Sequence, residues 1–124
     1  MSTSTIAHYI NGAWHSPSAS DATPLLHAIN GKVVAHVGNE ALDFESILTY
    51  GRTVGNTNLR RLTFQQRGLM LKRLALHLLK HKEAFYEASW ATGATRSDAW
   101  IDIEGGIGNL FSYASLRRQF GDQP

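Results

Sequence analysis

The most informative absence in this sequence is cysteine, which does not occur among its 124 residues. These residues therefore supply no disulfide, no thiolate ligand for a metal and no cysteine nucleophile. They also contain no apolar run near the roughly 20 residues that span a bilayer. Residues 1–5 lack the basic patch and apolar stretch of a signal peptide. We therefore expect a cytoplasmic protein that does not contact a membrane.

An excess of one charge is also missing, because the formal net charge is only +2. The basic residues of the middle of the chain could follow a phosphate backbone: they are Arg52, Arg60, Arg61, Arg67, Lys72, Arg73, Lys80 and Lys82. Acidic residues follow at once from Glu83 onward, and mixed charge on helices is typical of a solvated surface. Nucleic acid is therefore not the expected partner.

Two Asn-Gly dipeptides organise the first third of the chain, at Asn11-Gly12 and Asn30-Gly31. Each lies between short runs rich in β-branched, aromatic and aliphatic residues. Asn-Gly favours a tight turn with positive φ, so each dipeptide predicts a β-hairpin. We expect two hairpins within residues 8–37, separated by a polar loop that contains two prolines.

Helical periodicity dominates residues 43–118. Asp43 is a good N-cap for a first helix, which the Gly55 region is expected to end, and residues 59–62 are expected to connect it to the next. Thr63 and Gln66 form the pattern of a capping box, and the leucines after them repeat at three and four positions. Two further helices follow, one ending near Gly93 and one capped by Thr95. The sequence thus predicts an α+β chain with two hairpins and about four helices.

The last helix contains three glycines, Gly105, Gly106 and Gly108. Each costs about 1 kcal/mol relative to alanine inside a helix, so the group needs a reason. A phosphate-binding loop would need glycines between a strand and a helix, and these lie within a helical period. We predict instead that Gly105, Gly108 and Ser112 form a smooth ridge, the glycine ridge, against which another backbone packs closely.

No other residue pattern predicts a catalytic or metal site with confidence from spacing alone. His77 and His81 are four apart and could share a metal, but no third ligand or intervening glutamate accompanies them. Asp98 and Asp102, with Glu104 nearby, could act as paired carboxylates, yet a solvated outer helix face explains them better. We therefore predict no catalytic, cofactor-binding or metal residues in this chain.

Three segments of the sequence resemble the aldehyde dehydrogenase family. Residues 9–14 resemble its opening Asn-Gly-x-Trp hairpin, and residues 28–37 resemble the valine-rich stretch that follows. Residues 67–93 resemble a helix pair that ends in Glu-Thr-Gly-Lys, although this chain has Ala91-Thr92-Gly93-Ala94. Within the family, residues 91–116 are most similar to the bifunctional phenylacetate-degradation proteins of the PaaZ or PaaN type.

This resemblance implies a segment of a much longer, cytoplasmic and oligomeric enzyme. Such enzymes use NADP to oxidise a CoA-thioester semialdehyde through a cysteine thiolate, and their catalytic and cofactor residues lie outside the region matched here. Residues 1–124 would then be one partial domain of an aldehyde-dehydrogenase-like α/β fold, inactive alone, whose partner is the remainder of the dehydrogenase domain.

Two alternatives remain open at this stage. The chain could belong to the related CoA-semialdehyde dehydrogenase of benzoate breakdown, since the hydratase domain that distinguishes the two branches is not part of it. It could also be a stand-alone helical module that binds a protein or a nucleic acid. Both dehydrogenase interpretations, but not the stand-alone module, predict exposed apolar surface that the remainder of the enzyme would cover.

Overall fold

The computed structural model describes residues 4–18, 20 and 22–122, and contacts divide the chain into two compact units. The first unit comprises Met1–Gly55 and Ala91–Gly93, and the second comprises Asn56–Trp90 and Ala94–Pro124. The predicted α+β composition is confirmed. The assignment to an aldehyde-dehydrogenase-like fold and the single partial domain over residues 1–124 stay predictions.

The first unit contains five short strands in two sheets. These are β1 (Thr5–Ile6), β2 (His8–Ile10), β3 (Ala13–His15), β4 (Thr23–Leu26) and β5 (Val33–Val37). β2 and β3 form one antiparallel hairpin, while β5 lies between β1 and β4, parallel to β1 and antiparallel to β4. The sequence predicted both hairpins but not β1, whose two residues carry no periodic signal.

The two Asn-Gly turns differ in geometry. Asn11 (φ 51°) and Gly12 (φ 80°) both have positive φ, as the two-residue hairpin turn requires. At the second turn Gly31 has φ 67°, and the loop is longer, closed by a 2.8 Å hydrogen bond from the His27 amide to the Lys32 carbonyl. Both predicted hairpins are therefore confirmed, and the second has the wider turn.

Helix α1 (Phe44–Tyr50) completes the first unit together with a π-helical segment, Gly51–Gly55. The Asp43 carboxylate accepts a 3.0 Å hydrogen bond from the Ser46 amide, so the predicted N-cap is confirmed. The predicted end and connector are wrong, because Gly51 keeps right-handed helical geometry and Asn56–Arg60 (α2) is helical. A glycine stops a helix only when its backbone adopts the left-handed region.

The second unit begins with α2 and also contains the long helix α3 (Phe64–Lys80), α4 (Lys82–Ser89), α5 (Arg96–Trp100) and α6 (Gly106–Ser115). Thr63 and Gln66 form the predicted capping box, and the Thr95 hydroxyl caps α5. Gly93 has φ 81°, which confirms the left-handed turn predicted there. A π-helical segment, Ile101–Gly105, precedes α6, and a 3-10 turn, Leu116–Gln119, follows it.

Helices α3 and α6 meet through small residues. Ala75 is fully buried and Ala114 is 1% exposed. A Cβ atom placed on Gly68 would lie 3.0 Å from the Ala114 carbonyl oxygen and 2.8 Å from Cβ of Arg117. Gly68 therefore allows a close approach that no larger residue would permit without movement.

Buried apolar residues are few and belong to the second unit. Among the described residues they are Ala75, Tyr86, Ala99, Ile107 and Ala114. In the described part of the first unit, Pro17 is the residue that is buried. Each unit by itself thus encloses little apolar volume.

Candidate interaction surface

A polar cluster in the second unit is the best-defined group of charged side chains. Glu104, in the π-helical segment before α6, accepts a 3.0 Å hydrogen bond from the Lys82 ammonium and a 2.9 Å hydrogen bond from the Tyr86 hydroxyl. The Arg96 guanidinium lies 4.4 Å above the Tyr86 ring and 3.5 Å from the Glu83 carboxylate. The cluster therefore ties α4 and α5 to the start of α6.

The pKa shifts in this cluster favour a fixed charge pattern. The hydrogen bonds from Lys82 and then Tyr86 lower the pKa of Glu104 below its ordinary value. The hydrogen bond to Glu104 raises the pKa of Lys82, and desolvation raises the pKa of Tyr86. Each shift stabilises the form already present at neutral pH. The cluster is suited to holding helices together, and none of its groups is poised to exchange a proton near pH 7.

The structure separates the carboxylates that the sequence placed together. Glu104, which the sequence placed near the face shared by Asp98 and Asp102, is bonded to Lys82 and Tyr86. Asp98 instead accepts a 2.6 Å hydrogen bond from the Thr95 hydroxyl.

The other candidate chemical groups lie apart from this cluster. The rings of His77 and His81 are 4.7 Å apart, and the described residues contain no group of three histidine, aspartate or glutamate side chains that could hold a metal. Of the basic residues of the middle region, Lys82 is paired with Glu104, and Arg67 stacks on Phe64. They do not form one uninterrupted cationic stripe.

The glycine ridge is open along its length. A Cβ atom placed on Gly105, Gly106 or Gly108 would meet no described atom within 4 Å. The predicted close packing therefore does not occur among the described residues, and packing against another protein stays a prediction. Large apolar residues beside the ridge are exposed as well: Ile101 is 62% exposed and Tyr113 is 65% exposed.

A concave site in the second unit joins exposed apolar side chains to an arginine. We call it the Arg67 pocket; its volume is about 310 Å³, and it is lined by Phe64, Tyr113, Phe120, Leu71, Leu116 and Arg67. Phe64 and Phe120 stack with ring centroids 4.7 Å apart. The Gln65 amide donates to the carbonyls of Arg117 and Phe120 at 2.6 and 3.1 Å. These two hydrogen bonds hold Arg117 and Phe120, which form one wall of the pocket, against α3.

One nitrogen atom of Arg67 is unpaired in this structure. Its Nε atom is buried and has no partner among the described residues, while its Cζ atom lies 4.4 Å from the Phe64 ring centroid. A buried donor without an acceptor costs about 1–3 kcal/mol.

The chain exposes more area than compact proteins of its mass do. The chain exposes 9307 Å², whereas a compact protein of this mass exposes about 6,600 Å² and two separate globules of half the mass about 8,000 Å². Trp14, Trp90 and Trp100, the three tryptophans, are 72%, 62% and 55% exposed. The predicted exposure of apolar surface is confirmed, and surface of this kind is typical of an interface.

In the described part of the chain, no helix is both long enough and apolar enough to cross a membrane.

A comparison with characterised proteins gives one relevant match. Over 117 residues the chain is 28% identical to a 3,4-dehydroadipyl-CoA semialdehyde dehydrogenase from Aromatoleum evansii. The match covers 94% of this chain but 22% of the relative, so the chain spans about a fifth of the relative's length. No protein-family model matches the chain. The match supports a distant relationship to aldehyde dehydrogenases.

Proposed function

We propose that this chain is a scaffold segment of a CoA-linked semialdehyde dehydrogenase that acts in the degradation of aromatic compounds. The observation that carries this proposal is the match to the 3,4-dehydroadipyl-CoA semialdehyde dehydrogenase, which extends over 94% of the chain. The exposed apolar area supports it, because a segment of a larger fold leaves uncovered the surfaces that the remainder would bury.

The chemistry of the chain agrees with a supporting role. With no cysteine, it cannot form the thiohemiacetal through which aldehyde dehydrogenases pass. The Lys82–Tyr86–Glu104 cluster is internally satisfied and holds helices in place. The segment therefore contributes surface and rigidity, while the thiol, the cofactor site and the hydride transfer belong to the remainder of the enzyme.

Three finer points belong to the same proposal. We propose NADP as the cofactor of the complete enzyme, a phenylacetate-degradation protein of the PaaZ type as its identity, and a homo-oligomer as its assembly. These points rest on the similarity of residues 91–116 to that branch. A complete gene with a hydratase domain would support the PaaZ type, and one without it would support the benzoate-pathway enzyme instead.

The test measures NADP reduction with 3,4-dehydroadipyl-CoA semialdehyde as substrate. The purified 124-residue chain is expected to give no turnover. A second preparation contains the part of the Aromatoleum evansii enzyme that lies outside the matched region, assayed with and without the chain. A gain of activity or of thermal stability on adding the chain supports the proposal, and turnover by the chain alone would refute it.

A further inference from the structure

The Arg67 pocket has the composition of a site for an apolar group that carries a negative charge. Three aromatic rings and two leucines line it, together with Arg67 and Arg117. No aspartate or glutamate is among the described residues that line it. The Arg117 guanidinium donates a 2.6 Å hydrogen bond to the Ala114 carbonyl, which uses one of its five N–H donors. Arg67 and Arg117 are therefore the two cations that an anionic group in the pocket would meet.

We infer that the Arg67 pocket receives an apolar side chain and a neighbouring carboxylate from the dehydrogenase core, meaning the part of the enzyme that corresponds to the unmatched length of the relative. This inference rests on the proposed function. The carboxylate pairs with the guanidinium groups of Arg67 and Arg117 that line the pocket, and the apolar side chain fills the space between Phe64, Tyr113 and Phe120. Arginine suits this role because its planar fork binds a carboxylate through two hydrogen bonds.

Three observations favour a polypeptide of this kind as the occupant. The match covers 22% of the relative, which leaves 78% of its length unmatched. That unmatched part is large enough to offer a protein surface to the pocket. The pocket walls are half-exposed aromatic rings, with Phe64 at 43% and Phe120 at 47%, which a broad protein surface covers better than a small molecule does. The cationic lining also complements an acidic residue.

The experiment measures the affinity of the full 124-residue chain for the separately produced unmatched part of the Aromatoleum evansii enzyme, by titration calorimetry. The test variant is Arg67→Met, which keeps an apolar side chain of similar length and removes the charge and the donors. The matched control is Arg73→Met, on the exposed surface of the same helix. We expect Arg67→Met to weaken binding about tenfold or more, as loss of one half of a charge-assisted contact does, and Arg73→Met to change it less than about twofold.

The outcomes separate the inference from the proposed function. Equal binding by wild-type chain and Arg67→Met overturns the inference and leaves the proposed function standing. Absence of binding by the wild-type chain overturns both. Sedimentation of the chain alone is the second measurement: self-association that Arg67→Met abolishes would assign the pocket to a second copy, and displacement of the core by hexanoate alone would assign it to a free organic acid. Either result would also overturn the inference.

Discussion

Two glycine-containing surfaces on the helices of the second unit carry similar residues and have different surroundings. At Gly68 the neighbouring helix is so close that an added Cβ atom would lie 3.0 Å from the Ala114 carbonyl oxygen. At Gly105 and Gly108 nothing described lies within 4 Å of such an atom. The first surface is completed inside the chain. The second has the same small residues with no partner in the chain to use them.

This difference explains why glycine content alone gives an incomplete prediction. A glycine in a helix lowers helix stability by about 1 kcal/mol relative to alanine wherever it lies. At Gly68 the contact between α3 and α6 compensates for that loss. At the glycine ridge no compensation exists within the described residues, and we propose that the dehydrogenase core supplies it. The comparison can therefore be tested by changing each glycine separately.

The largest effect is expected from Gly68→Val. The added side chain would collide with backbone at Ala114 and with the first carbon of the Arg117 side chain, and overpacking of this kind typically costs about 1–3 kcal/mol. Urea unfolding followed by circular dichroism measures the loss of free energy of unfolding. The matched control is Gly108→Val, which introduces the same side chain into open space and is expected to cost far less. Equal losses at the two positions would remove the distinction.

An effect of opposite sign is expected from Gly108→Ala. In the isolated chain the substitution should stabilise the fold by about 1 kcal/mol, because alanine has the higher helix propensity and its Cβ meets nothing. If a backbone of the dehydrogenase core packs on the ridge, the same methyl group should weaken binding of that core. Calorimetry on the same two polypeptides measures this second quantity. Destabilisation of the isolated chain would show that the ridge is already packed.

The smallest effect is expected from Glu104→Gln, which weakens the polar cluster without opening the contact between α3 and α6. The pKa of Glu104 is lowered from 4.5, so its ionised form stabilises the fold above about pH 4.5, and this stabilisation is lost as the pH falls through the lowered pKa. The melting temperature of the variant should be below that of the wild type at neutral pH, with the gap closing in acid. Asp102→Asn, an exposed carboxylate of the same segment, is the control and should show no gap.

The same cluster also makes the stability of the fold depend on pH in the alkaline range. The pKa values of Lys82 and Tyr86 are raised from 10.5 and 10.0, so their contribution is complete below those ordinary values. It is lost as the pH rises through the raised values. The contribution of the cluster to wild-type stability should therefore stay constant between the acid range, in which Glu104 is protonated, and the alkaline range, in which Lys82 and Tyr86 lose their protons. A stability gap between wild type and Glu104→Gln that stayed constant from acid to alkaline pH would argue against an ionic cluster.

The parts of the fold that local rules govern could be predicted from the sequence. Asn11-Gly12 specified its turn because both residues tolerate positive φ, and Thr63 with Gln66 specified a helix start through two short-range hydrogen bonds. Strand β1 could not be predicted, since its two residues are defined by pairing with β5 some 30 positions away.

The polar cluster could not be predicted for a related reason. Lys82 and Glu104 are separated by 22 positions, and no spacing rule connects residues so far apart. The Arg67 pocket was missed because its walls come from two separate stretches, around Phe64 and around Phe120.

The most direct test of the central claim is amide hydrogen exchange of the 124-residue chain, measured alone and with the separately produced dehydrogenase core. We predict that the core slows exchange in α6 beside the glycine ridge and in α3 around Gly68 and Leu71 beside the Arg67 pocket, because both surfaces become covered. The capping box at Thr63 should change little, since its hydrogen bonds are already made. Unchanged exchange at the ridge and at the pocket in the presence of excess core would contradict the account.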